Sequence, residues 1–112
     1  MNTDVQCLIV LVTSPSMDVA KQISLHLINN NLAACVNLIH GVTSIYEWNG
    51  KIVEDNEVLL IIKTTSERYK DLQTSVLSLH PYEIPEIVAY PITQGSSSYL
   101  DWVRSRTTRP KP

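Results

Sequence analysis

Three features of the sequence predict an α+β fold of ferredoxin-like, βαββαβ type, with one long extended β-hairpin and a short C-terminal helix. β-branched apolar runs alternate with segments of three- and four-residue apolar spacing. An Asn49-Gly50 pair follows a stretch, 33–48, that holds no proline, and 112 residues is the length of one ordinary domain.

Residues 5–13 (VQCLIVLVT) form a nearly continuous apolar run, as in a central strand buried on both faces. Ser14-Pro15-Ser16 offers helix-start chemistry, and Val19, Ile23, Leu27 and Ile28 keep helical spacing, which predicts a helix over 16–29. Asn29-Asn30-Asn31 tolerates left-handed conformations and stops that helix before a strand begins at about residue 33. That second strand contains a single glycine, Gly41, and runs into the Asn-Gly turn; the third leaves at Lys51 and continues to Thr65. Ser66 is read as the cap of a second helix built on Tyr69, Leu72, Val76 and Leu79, which Pro81 ends. Residues 84–91 (IPEIVAYP) read as an edge strand, and Tyr99, Leu100 and Val103 as a last helix entered through Ser96-Ser97-Ser98. Residues 1–106 make one domain and 107–112 a polar tail, frayed at Pro110-Lys111-Pro112.

The net charge of -2 lacks the basicity of a dedicated nucleic-acid binder, so no nucleic-acid partner is expected. All 11 acids lie within residues 1–101, whereas Arg104, Arg106, Arg109 and Lys111 crowd the end, where cations complement a helix dipole. The apolar run at 7–12 is far shorter than the ~20 residues of a membrane helix and has no basic stretch before it, so neither membrane nor secretion is expected. Cys7 and Cys35 are too few for a disulfide framework and read as free thiols in a cytoplasmic protein.

Strands of ~15 residues make a ribbon of ~50 Å, longer than the ~35 Å diameter of a compact chain of this size. The hairpin must overhang or bend at Gly41, and a ribbon carrying Ile45, Tyr46 and Trp48 needs cover, most economically from a second copy of the chain.

The sequence contains no phosphate-cradling glycine loop, CxxC, HExxH or glycine-flanked nucleophilic serine, so no catalytic motif is assigned. Pairing outward from Asn49-Gly50 sets Val36 opposite Lys63; a one-residue bulge at Gly41 sets Cys35 opposite Lys63 instead. In that register the ammonium would lower the thiol pKa and make Cys35 a nucleophile, against the alternative of a small buried hydrophobe beside a snorkelling lysine. His80, where the second helix stops, either complements the helix dipole or ligates a metal with Glu83 or Glu86 nearby. His26 and His40 read as surface residues.

Leu32-Ala33-Ala34-Cys35, Tyr46-x-Trp48-x-Gly50-Lys51, Lys63-Thr64-Thr65 and His80-Pro81-Tyr82-x-x-Pro85-Glu86, closed by Tyr99-Leu100-x-Trp102, together resemble the signature blocks of the CutA divalent-cation-tolerance family. The resemblance implies a ferredoxin-like subunit in a tight homotrimer, similar to PII signalling trimers, with Lys63, Tyr46, Trp48 and Tyr82 at a subunit interface or ligand cleft. It also implies a response to copper or other divalent cations, the only cofactors expected. The family's copper position on the first strand is Val12 here, and the first histidine of its adjacent pair is Leu79. The metal candidates are therefore His80, Cys35 and Glu86, with weak binding expected. An alternative is a signalling or scaffold trimer that takes a small anion or a partner protein in the clefts between subunits, with Lys63 and Trp48 in the lining.

Overall fold

The computed structural model describes residues 5–109, and Pro110-Lys111-Pro112 lies outside the described residues. The elements are β1 (Cys7–Ser14), α1 (Met17–Asn29), β2 (Cys35–Trp48), β3 (Lys51–Thr65), α2 (Tyr69–Leu79), β4 (Ile87–Pro91) and α3 (Ser97–Arg106). They build a four-stranded antiparallel sheet in the order β2-β3-β1-β4, which is the ferredoxin-like fold with an added helix.

Helices α1 and α2 cover one face of this sheet. Val10, Val12, Leu60 and Ile62 alternate toward Ala20, Ile23 and Leu27 of α1 and toward Leu72 and Val76 of α2, and all nine are fully buried. The opposite face is left largely bare. Ile9, Leu11, Leu59 and Ile61 are only half-buried there, Ile39, Val88 and Tyr90 are exposed, and α3 reaches only the end near Cys7 and Thr65. The expectation of a β1 buried on both faces is therefore met on the helix side alone within one chain.

The register follows the turn arithmetic. Trp48 opposes Lys51, and Val42 opposes Glu57. His40 and Gly41 then stand against the single residue Val58, and beyond them Ile39 opposes Leu59 and Cys35 opposes Lys63. Gly41 has φ +81°, a conformation that disfavours a side chain. Asn49 and Gly50 have φ of 52° and 78°, the two left-handed residues of a type I′ turn. β1 pairs with β3 only from Val58 to Thr65, so residues 42–57 project as a two-stranded ribbon, and the chain reaches 48 Å along its longest axis.

Ser16 caps α1 by accepting from the Val19 N–H at 3.2 Å. The other end closes on Asn31 (φ 57°): the Leu32 N–H bonds the Leu27 carbonyl at 2.9 Å and the Asn31 N–H bonds that of Ile28 at 3.2 Å, a Schellman motif with asparagine in the glycine place. Ser66, read as a cap, is not one. Residues 66–68 form a turn, and Arg68 stands at the N-cap with no side-chain capping bond. Its guanidinium instead reaches across to the carbonyls of Asn31 (3.2 Å) and Asn30 (3.3 Å) and to Asp71 (3.3 Å). This side chain was needed to hold two helix ends together, a demand invisible in local spacing.

Two further boundaries differ from the sequence reading. β4 begins at Ile87 rather than residue 84, because only Ile87–Pro91 faces β1, from Val12 back to Leu8. Thr107, assigned to the tail, is buried and donates to the Val103 carbonyl at 2.8 Å, so packing continues past residue 106.

Arg68 is only 5 % exposed, and its loss would remove the bonds that tie the carbonyls of Asn30 and Asn31 to the start of α2. Arg68→Ala is expected to destabilise the chain by about 2 kcal/mol, read as a lower denaturant midpoint with unchanged slope.

Candidate functional site

The row through Cys35 runs Cys35, Lys63, Ile9, Tyr90 across all four strands, on the face the helices leave bare. Cys35 is half-buried and a free thiol. The Lys63 ammonium, however, meets the Oδ1 of Asn37, two residues along β2. The predicted opposition of Cys35 and Lys63 is thus present in the backbone, while the cation is directed to an amide. Burial first, and then the neighbouring Cys35, push the Tyr99 phenol up.

His80 forms the C-cap of α2, its N–H bonded to the Val76 carbonyl at 2.8 Å. Its ring is buried and held at both nitrogens: Nε2 donates to the Thr13 carbonyl at 2.7 Å and Nδ1 accepts the Tyr82 N–H at 3.1 Å. That pair of bonds fits a neutral ring with its proton on Nε2. The role offered for His80 as a cation on the helix dipole does not match these bonds. To bind a metal, either nitrogen must first give up its partner.

The three metal candidates are not gathered in one chain. His80 is anchored at Thr13 and Cys35 on the row of Ile9, four residues away along β1 or about 13 Å of strand. Glu86 is exposed beyond the end of α2, and among the described residues no three His, Cys, Asp or Glu side chains are grouped to hold a metal ion. His40 is exposed at the bulge, as expected, and His26 is half-buried on α1.

What the fold does assemble is a cleft of ≈ 700 Å³ between the projecting ribbon and loop 81–86. Tyr46 and Trp48 line it from β2, Glu57 from β3, and Tyr82, Glu83 and Glu86 from the loop. No Lys, Arg or His lines it among the described residues. Lys63, placed with Trp48 in a cleft between subunits by the anion-binding alternative, lies within one chain six residues along β3 from Glu57, about 20 Å of strand.

Glu57 is the residue that sequence reasoning missed. It is 6 % exposed, and its Oε2 accepts from the Tyr82 hydroxyl at 3.1 Å. Its partner is 25 residues distant, so an acid in the run VEDNEV carried no local sign of burial. Burial first, and then Glu57, push the Tyr82 phenol up to about 12. On the ribbon Tyr46 donates to the Asp55 carboxylate, which raises the Tyr46 phenol as well.

A raised phenol pKa means that folding favours the protonated form. The Tyr82 contribution should be complete below the unfolded value of ~10 and be lost as pH rises toward about 12. Tyr82→Phe is expected to lose about 1 kcal/mol at neutral pH and to remove the last phase of a phenolate absorbance titration.

Comparison with known proteins was made against this geometry. A family model described as CutA1 divalent ion tolerance protein matches residues 8–106. The divalent-cation tolerance protein CutA of Thermus thermophilus is 52% identical over 99 residues, which cover 88% of this chain and 96% of that protein. The human protein CutA is 53% identical over 96 residues, 86% of this chain but 54% of its own length, so the chain spans about half of that relative. Among solved structures, the Thermus thermophilus protein superposes with a TM-score of 0.89 at 50% identity, covering 91% of this chain and 99% of the other. CutA1 of Oryza sativa superposes with a TM-score of 0.93 at 38% identity, covering 97% and 100%. Names in the family carry different compartments, chloroplastic in Arabidopsis thaliana and periplasmic in Archaeoglobus fulgidus.

Proposed function

The chain belongs to the CutA1 divalent ion tolerance family, and from that premise we propose that it acts in divalent-cation tolerance as a homotrimer that binds copper or other divalent cations only weakly. The bare sheet face carries the assembly part of this reading. Half-buried Ile9, Leu11, Leu59 and Ile61 and exposed Ile39, Val88 and Tyr90 form an apolar surface continuous with a ribbon that exposes Ile45, Trp48 and Ile52. An exposed aliphatic side chain gains ~1.5–3 kcal/mol when fully buried and a half-buried one less, so contact between copies stabilises the folded oligomer.

Weak metal binding is supported by the donor set. A selective copper site needs three or four nitrogen and sulfur donors in fixed geometry. His80 has both nitrogens engaged and Cys35 lies several residue rows away, so the residues of one chain do not fit such a site. The acidic cleft attracts cations in general, which agrees with a response to divalent ions and not with a nucleic-acid partner. Within one chain this lining holds no positive charge for the anion-binding alternative, whose clefts lie between subunits.

The protein is read as a non-enzyme, since the lysine invoked to activate Cys35 is turned to Asn37. Free thiols at Cys7 and Cys35 support a reducing, cytoplasmic location. No helix among the described residues is long and apolar enough to cross a membrane.

Sedimentation of the full chain at micromolar concentration is expected to give a trimer, weakened by Trp48→Arg; a stable wild-type monomer overturns the assembly. In Cu(II) titrations, affinity is expected to be weaker than micromolar in wild type and to fall further in His80→Ala, with a smaller loss in Cys35→Ser. Sub-micromolar affinity that survives loss of His80 would show the site assignment to be wrong.

A further inference from the structure

We draw no further inference here: the strongest candidate, the acidic cleft between the projecting ribbon and loop 81–86 that Glu57 lines, is walled by Trp48 of the ribbon proposed to meet a neighbouring copy, and nothing in the structure shows what covers it there.

Discussion

One extra residue in β2 governs which side of the sheet every other side chain of that strand occupies. Strand side chains alternate with a period of two, so the mismatch of His40 and Gly41 against Val58 reverses the parity of β2 at that point. On the sheet side of the bulge, the odd residues Cys35, Asn37 and Ile39 oppose the odd residues of β3. On the ribbon side, the even residues Ser44, Tyr46 and Trp48 take over that role. Without the shift, Val36 would oppose Lys63, and Cys35 would fall on the face opposite to Lys63, Glu57 and the aromatic side chains of the ribbon. The positive φ of Gly41 is the local conformation on which this arrangement rests.

From that register a chain of polar contacts extends to the cleft. Thr13 on β1 holds the ring of His80, the ring holds the backbone of Tyr82, and the hydroxyl of Tyr82 holds Glu57 on β3. Each group in the chain is at least partly withdrawn from water, so the contacts fix loop 81–86 more firmly than surface bonds would. The histidine that looked like a ligand is here a positioning residue. It turns the end of α2 into one wall of the cleft.

Features encoded in neighbouring residues were legible in the sequence. The Asn49-Gly50 turn, the helix start at Ser14-Pro15-Ser16 and, as one of the two registers weighed, the Gly41 bulge that sets Cys35 opposite Lys63 rest on local conformational preferences, and all appear in the fold. Missed features depended on groups distant in sequence. Arg68 displaced Ser66 from its expected role because it bonds carbonyls 37 and 38 residues away. Glu57 is buried by a tyrosine from another element, and His80 by a carbonyl 67 residues away. Five residues of the cleft, Tyr46, Trp48, Tyr82, Glu83 and Glu86, were nevertheless named as candidates. The resemblance grouped Tyr46, Trp48 and Tyr82 with Lys63, which lies six residues along β3 from Glu57, while Glu86 was read with His80 and Cys35 as a metal candidate.

The place of β1 in the sheet bears on how the chain is made. β1 is the first strand in sequence but an interior one in space, between β3 and β4. The β2–β3 hairpin is local and closes on the microsecond scale once its turn exists. β1 has no such neighbour: a ribosome adding ~5–20 residues per second needs roughly 3 to 10 seconds to reach the end of β3 after finishing β1. Throughout that interval an apolar segment is without its strand partners, a natural target for a chaperone that grips short hydrophobic stretches. The strand at the centre of the fold is thus the first synthesised and among the last to be seated.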